Sequence, residues 1–134
     1  MTTDSDYEIV GSQVFRFEYY YLLNSGSLSD IPWDTTAGHI GIDGMQDVAA
    51  IVVNIAVIDP KSRVLLTDAQ LATFNTPGNA NFLADFSPGM TPAQLRTQWQ
   101  NTVNGITALP RPAVSGIRLY QRYLYLSPPT LNTP

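Results

Sequence analysis

This chain has no cysteine and a single histidine, His39. A cysteine–histidine pair, a cysteine-based zinc site and a histidine-pair zinc motif are therefore excluded. A serine–histidine–aspartate triad would have to use His39, and no Gly-x-Ser-x-Gly segment presents a nucleophile. The glycines at 38, 41 and 44 do not have the spacing of a dinucleotide-binding fingerprint. We predict that the protein is not an enzyme, that His39 is an ordinary loop residue and that there is no cofactor.

Charge is also scarce, since only 13% of the residues are Asp, Glu, Lys or Arg and the net charge is −4. Lys61 is the only lysine. A chain without a basic patch cannot replace the counterions on phosphates, which argues against nucleic acid and against anionic lipid as partners. Because little charge repulsion keeps such molecules apart, the composition suits a subunit that associates with other proteins.

Long apolar runs are absent, because no window of eighteen apolar residues exists and the segment from Val48 to Ile58 is interrupted by Asn54. We therefore predict no transmembrane helix and no direct membrane insertion of this chain. The polar, acidic start is not typical of a secretion signal, which leaves a cytosolic chain or one whose targeting segment was removed. A length of 134 residues predicts one domain over 1–134, with irregular tails at 1–9 and 127–134.

Three segments have the residue types of β-strands, at 14–23, 48–58 and 114–126. The middle one is almost continuously apolar, as in a central strand that is covered on both faces. In the first, alternation separates two faces, and the face richer in aromatic residues is the predicted core face. Its members are Phe15, Phe17, Tyr19, Tyr21 and Leu23. An Asp43–Gly44 pair also suggests a short hairpin between the first two strands.

Two helices are predicted from start signals that place a hydroxyl residue three positions before a glutamine. Thr67 begins a short helix over 68–74, and Thr91 begins a longer one over 92–104 that ends at Gly105 in a left-handed conformation. Trp99 lies on the apolar stripe of the longer helix and is predicted to be core. The fold class is therefore α+β: an antiparallel sheet with one well-formed helix and one short helix packed on it.

Two groups of side chains are candidates for binding. Asp30, Asp34, Asp43 and Asp47 share one glycine-rich loop and are weak calcium candidates, because carboxylate oxygens suit this ion although the spacing is not that of an EF-hand.

The second group comprises Tyr20, Tyr120 and Arg122, which we expect on the face opposite the core. Aromatic residues there could form a protein-contact surface, a stacking platform for carbohydrate, or simple cross-strand packing.

The order of these segments resembles the globular half of W-type minor pilins of type IV pili and of J-type pseudopilins of type II secretion. The blocks that carry the resemblance are VFRFEYYYLL, DIPWD, MQDVAAIVVNIAVID and IRLYQRYLYL, about a third of the chain. Residues 60–113 match no part of the family pattern. The resemblance implies a structural subunit of an extracellular or periplasmic filament, with other filament subunits as partners.

The chain departs from that family at its N-terminus, where the processing site and hydrophobic assembly helix would be expected. Three explanations fit: a trimmed chain, a product of maturation, or a split pilin whose helix belongs to a separate chain. In the last case the partner would be a helix-bearing pilin chain. The alternative function is a non-catalytic module that binds carbohydrate or protein through exposed tyrosines.

Overall fold

Four strands form one antiparallel sheet in the computed structural model, which describes residues 13–87 and 89–126. They are β1 (Val14–Leu23), β2 (Leu28–Ser29), β3 (Val48–Ile58) and β4 (Ile117–Tyr125). Their order across the sheet is β2–β1–β3–β4, so that β2 and β4 are its edges. The predicted tails at 1–9 and 127–134 lie outside the described residues.

The helices are short apart from one. They are α1 (Pro60–Arg63), α2 (Asp68–Ala72), α3 (Pro92–Asn104) and α4 (Arg111–Val114). Single 3-10 turns occupy Thr35–Ala37, Gly41–Asp43 and Thr73–Asn75. The α+β fold with an antiparallel sheet is thus confirmed.

Some local predictions are wrong in instructive ways. The fourth strand begins at Ile117 because Arg111–Val114 is helical, with a proline in its first turn where no intrahelical N–H is needed. No hairpin forms at Asp43–Gly44, where a 3-10 turn is capped instead by the Asp43 carboxylate on the Ile40 N–H. Gly105 has no positive φ, because its N–H simply continues the helical bonding to Asn101.

Both predicted helix starts are present. Thr67 accepts a hydrogen bond from the Gln70 N–H, and the Gln70 side chain accepts one from the Thr67 N–H. Thr91 and Gln94 form the same reciprocal pair at the start of α3. Two otherwise unpaired backbone donors are satisfied at each site, which stabilises a helix start by about 1 kcal/mol.

The chain divides into two compact units, each formed by three separate segments of the sequence. Of the described residues, the first unit contains 13–17, 55–84 and 98–120, and the second contains 18–54, 85–87, 89–97 and 121–126. Each unit has buried residues of its own, and they are described separately.

Trp99 is at the centre of the core of the first unit, with 2% of its surface exposed. Its indole N–H donates to the Ala84 carbonyl at 2.8 Å. The guanidinium of Arg16 lies 5.6 Å from the centroid of the Trp99 ring and donates to the Leu83 carbonyl. The predicted core position of Trp99 is confirmed, and a strand arginine that accompanies it was not anticipated.

A second feature of the first unit is the tight corner between β3 and α1. Asp59 accepts from the Ser62 N–H at 2.8 Å and caps α1, and this backbone hydrogen bond is the main reason that the pKa of Asp59 lies below its usual value. The Asp59 N–H donates to the carbonyl of Gly116, just before β4. A side chain at Gly116 would collide with Ser62 and Asp59, so only glycine fits there.

Candidate interaction surface

β3 has one buried and one half-exposed side along its whole length, because its residues alternate strictly in burial. In the second unit the buried side includes Ala50, Val52 and Asn54. Asn54 accepts a hydrogen bond from the side-chain amide of Gln121, which also donates to the Pro92 carbonyl at the start of α3. The side of β3 that faces residues 85–97 is therefore its covered side.

Tyr20 of β1 is also on the covered side, contrary to the prediction that it would be an exposed contact residue. Only 7% of its surface is exposed, and its ring packs on Phe86 with centroids 4.0 Å apart. Tyr19, by contrast, is 55% exposed and meets Tyr21 edge to face. The predicted core face of β1 is thus wrong at Phe17 and Tyr19, which are among the exposed large side chains.

The reason is that aromatic content does not determine which face of β1 is buried. Arg16 reaches the core of the first unit through hydrogen bonds to a carbonyl and contact with aromatic rings, so that a charged residue is compatible with the inner face. Tyrosine, conversely, tolerates exposure because its hydroxyl remains hydrated. Assigning Arg16 to solvent therefore misplaces Phe17 and Tyr19, whereas Leu23 of the predicted core face is buried and Phe15 packs on the buried Phe74.

The opposite side of the sheet in the second unit, which no described residue covers completely, is called here the open face and is predominantly apolar. By alternation along each strand it contains side chains from β1, β3 and β4. Tyr19 and Leu124 are each 55% exposed, and Ile51 and Val53 are half-buried. The members of the open face are Tyr19, Tyr21, Ala49, Ile51, Val53, Arg122 and Leu124.

The predicted site residues Tyr120 and Arg122 are exposed, as expected, and being two positions apart they point to the same side of β4. The buried Tyr20 does not share that exposure. The second half of β4 carries a further feature that the sequence analysis did not single out: Tyr123 and Tyr125 stack with ring centroids 6.0 Å apart and planes at 17°. The alternating sequence Tyr–Leu–Tyr–Leu at 123–126 was the sequence feature that could have indicated this pair of neighbouring tyrosines.

The aspartates of the glycine-rich loop do not gather into a cation site. In the described parts of the chain, no group of three acidic, histidine or cysteine side chains is placed to hold a metal ion. Asp34 caps the turn at Thr36, and Asp43 accepts from the Ile40 N–H. The loop carboxylates Asp34, Asp43 and Asp47 thus serve the backbone of their own loop, whereas Asp30 is simply exposed.

Asp47 and His39 form a close polar contact within this loop. Their side chains are 2.6 Å apart, and the same carboxylate accepts from the Asp34 N–H at 2.9 Å. The Asp34 N–H lowers the pKa of Asp47, as does His39, while hydrogen bonding to Asp47 raises the pKa of His39. Neither side chain has a hydroxyl partner among the described residues, so the pair has the form of a loop clip rather than of an activated nucleophile.

An open cleft of about 590 Å³ lies in the first unit between α3 and α4. Its polar lining includes Gln100 and Asn104, which are hydrogen-bonded to each other, and Arg111. No carboxylate or histidine lines it, so it lacks the paired titratable groups from which an acid–base site is built.

Comparison with protein-family models, with curated proteins and with solved structures finds no significant match to this chain. The resemblance to minor pilins therefore remains a prediction from sequence. None of the helices in the described part of the chain is both long and apolar enough to cross a bilayer.

Proposed function

We propose that this protein is a structural subunit of an extracellular or periplasmic pilus-like filament and acts through contact surfaces, without a catalytic role. The observation that carries the proposal is the open face of the second unit, where Ile51 and Val53 of the central strand are only half-buried. Contiguous exposed apolar surface in a folded domain is typical of a site for protein association.

The occupant that suits this face is an apolar helix of another filament subunit. Its only charged member is Arg122, on the edge strand β4, and Tyr19 and Tyr21 of β1 lie on the other side of its aliphatic centre. Aromatic residues beside an aliphatic centre, with few charges, are the composition of a protein interface core. The pilin resemblance supports a helix-bearing chain as the source of that helix.

The experiment is incorporation into filaments in the native host. Tyr19→Glu places a charge on the open face at a residue that is already exposed, so the fold should be retained. Val64→Glu is the matched control, because Val64 is 78% exposed and lies outside this face. We expect Tyr19→Glu to be depleted from sheared filaments at least tenfold relative to Val64→Glu, with both variants equally abundant in the cell.

The proposal would be refuted if the wild-type chain were absent from purified filaments and its deletion left their number unchanged. A photo-crosslinking residue at Ile51 gives a second test. Crosslinks from Ile51 to an apolar helical segment of a filament subunit, and none from Gln98, would support the helix as the occupant.

One observation favours the alternative of a carbohydrate-binding module. The parallel, exposed rings of Tyr123 and Tyr125 form a flat aromatic surface of the kind on which sugar rings stack. A glycan array with reproducible hits that disappear in Tyr125→Ala, but not in Tyr19→Ala, would support that function instead.

A further inference from the structure

The cleft between α3 and α4 in the first unit has the size and the lining of a small-molecule site. Its volume of about 590 Å³ lies within the range of about 300–1,000 Å³ that ligand pockets occupy. The α3 side is formed by Gln100, Val103 and Asn104, which share one face of the helix because they are three and four positions apart. The other side includes Arg111 and Val114 of α4.

The α4 side of the cleft is fixed by hydrogen bonds from the corner between β3 and α1. The Ser62 hydroxyl donates to the Pro112 carbonyl at 3.2 Å, and the Asp59 N–H donates to the Gly116 carbonyl. A helix of only four residues is not stable by itself, so these outside contacts hold α4 in place. Arg111 is therefore an exposed side chain on a wall whose position is set by the fold.

The lining combines buried apolar side chains with amide groups. Val103, Val114 and Ile117 are each more than nine-tenths buried, so a ligand with an apolar body gains by covering what remains of their surface. The Gln100 side chain donates to the amide oxygen of Asn104 at 3.0 Å. The amide nitrogen of Asn104 has no acceptor among the described residues and can donate to a ligand.

The charge at the cleft is positive and unbalanced. The described residues of the first unit include five Lys or Arg and two Asp, a net charge of +3 in a chain whose net charge is −4. Both carboxylates are engaged elsewhere, since Asp59 caps α1 and Asp68 pairs with Arg63. No acidic residue lines the cleft, and the Arg111 guanidinium has no hydrogen-bonding or ionic partner among the described residues.

We propose that this cleft binds a monocarboxylate that carries an apolar body. The Arg111 guanidinium presents paired N–H groups that match the two oxygens of a carboxylate, and Asn104 supplies a further donor. One arginine balances one negative charge, whereas a phosphate monoester carries about −1.5 to −2 at pH 7 and would stay partly unbalanced. Two sources supply this chemistry, a free organic acid and the C-terminal carboxylate of another protein.

The experiment is an NMR titration of the isotope-labelled wild-type chain with phenylbutyrate. We expect saturable shifts of the backbone amides of Gln100, Asn104 and Ser115, with a dissociation constant on the order of 1 mM or tighter. Phenylbutyramide has the same body without the charge, and acetate has the charge without the body. Each should bind at least about tenfold more weakly than phenylbutyrate.

Substitutions of Arg111 test the residue that the proposal depends on. Arg111→Gln removes the charge at an exposed position, so the fold should be retained, which circular dichroism verifies, and binding should weaken at least about tenfold. Arg111→Lys keeps the charge without the paired N–H groups and should weaken binding about two- to fivefold. Lys61→Gln is the matched control, because Lys61 is an exposed cation of the same unit outside the cleft; it should change the affinity by less than about twofold.

A short acetylated peptide with a C-terminal leucine distinguishes the two sources. If the peptide acid binds more tightly than phenylbutyrate and its C-terminal amide does not bind, the source is a protein C-terminus. If the peptide acid binds no more tightly than phenylbutyrate, the source is a free organic acid. Both results support the carboxylate site.

Three results would overturn the proposal. The first is the absence of saturable shifts up to about 20 mM phenylbutyrate, well above the expected dissociation constant. The second is phenylbutyramide binding as tightly as phenylbutyrate, which would exclude recognition of the carboxylate. The third is an equal loss of affinity in Arg111→Gln and Lys61→Gln, which would indicate general attraction by positive charge. None of these measurements depends on the filament proposal, because the cleft belongs to the first unit and the open face to the second.

Discussion

Truncation of Trp99 tests the core of the first unit. Trp99→Ala removes an almost completely buried indole, its 2.8 Å hydrogen bond to the Ala84 carbonyl and its contact with the Arg16 guanidinium. Truncation of a buried tryptophan costs about 3–5 kcal/mol. Because domains of this size are stable by about 5–15 kcal/mol, Trp99→Ala should lose a large part of the free energy of unfolding.

The assay is urea unfolding monitored by circular dichroism at constant temperature. With an m-value of about 1.5 kcal/mol/M, a loss of 3–5 kcal/mol lowers the midpoint by about 2–3 M. Trp99→Phe keeps most of the ring but removes the donor to Ala84, and we expect it to lose about 1–2 kcal/mol. Gln98→Ala, an exposed neighbour on α3, is the control and should stay within about 0.5 kcal/mol of wild type.

A midpoint for Trp99→Ala within error of that of Gln98→Ala would refute this reasoning. If such a variant had also lost binding to a filament partner, Trp99 would be a surface residue and the core would be wrongly placed. If Trp99→Phe were as damaging as Trp99→Ala, the hydrogen bond to Ala84 would outweigh the packing of the ring.

Three other changes probe separate parts of the chain. Gly116→Ala should destabilise by about 1–3 kcal/mol or more in thermal or urea unfolding, because the new methyl group collides with Ser62 and Asp59, and additional replacement of Ser62 by Gly should recover part of the loss. The pKa of His39 should lie above 6.5 by imidazole NMR and should fall towards that value in Asp47→Asn. Because the pKa of His39 is raised and that of Asp47 is lowered, the His39–Asp47 contact should stabilise the loop most between the ordinary pKa values of aspartate and histidine, and should weaken as pH falls through the pKa of Asp47 or rises through that of His39. An NMR signal of the Asp34 amide that does not change across both pH ranges would contradict this. Asn54→Val should change the free energy of unfolding by no more than about 1 kcal/mol, because the buried amide nitrogen of Asn54 has no partner. Asn54→Asp should lower it by several kcal/mol at pH 7 and by less near pH 4, because a buried carboxylate is costly when it is charged. Equal losses for the two variants in unfolding assays would contradict this.

Sequence patterns predicted the elements of this fold better than the faces that those elements bury. β3 and the two glutamine-capped helix starts were recognisable because an apolar strand and a capping box each depend on a few adjacent residues. The 3-10 turn at Gly41–Asp43 and helix α4 were not, since a turn sequence is compatible with several backbone conformations.

The candidate surface was predicted only in part. Tyr120 and Arg122 were correctly expected to be exposed, but Tyr20 was assigned to the wrong side of β1. The residues that determine which side of β1 is buried, such as Phe86 and Leu83, are more than sixty positions from β1 in the chain, and their contacts with it arise from tertiary packing alone. The stacking of Tyr123 on Tyr125 likewise requires coordinates, although their spacing on one strand was visible.

The brevity of β2 has a consequence for how copies of this chain can join. It contains only Leu28 and Ser29, which pair with Leu22 and Tyr21. A two-residue strand offers too short a ladder to recruit another chain. Among the described residues, the sheet therefore ends at β2 in a ladder too short to continue into a second sheet. A filament that contained this chain would then grow through contacts other than strand pairing at the β2 edge.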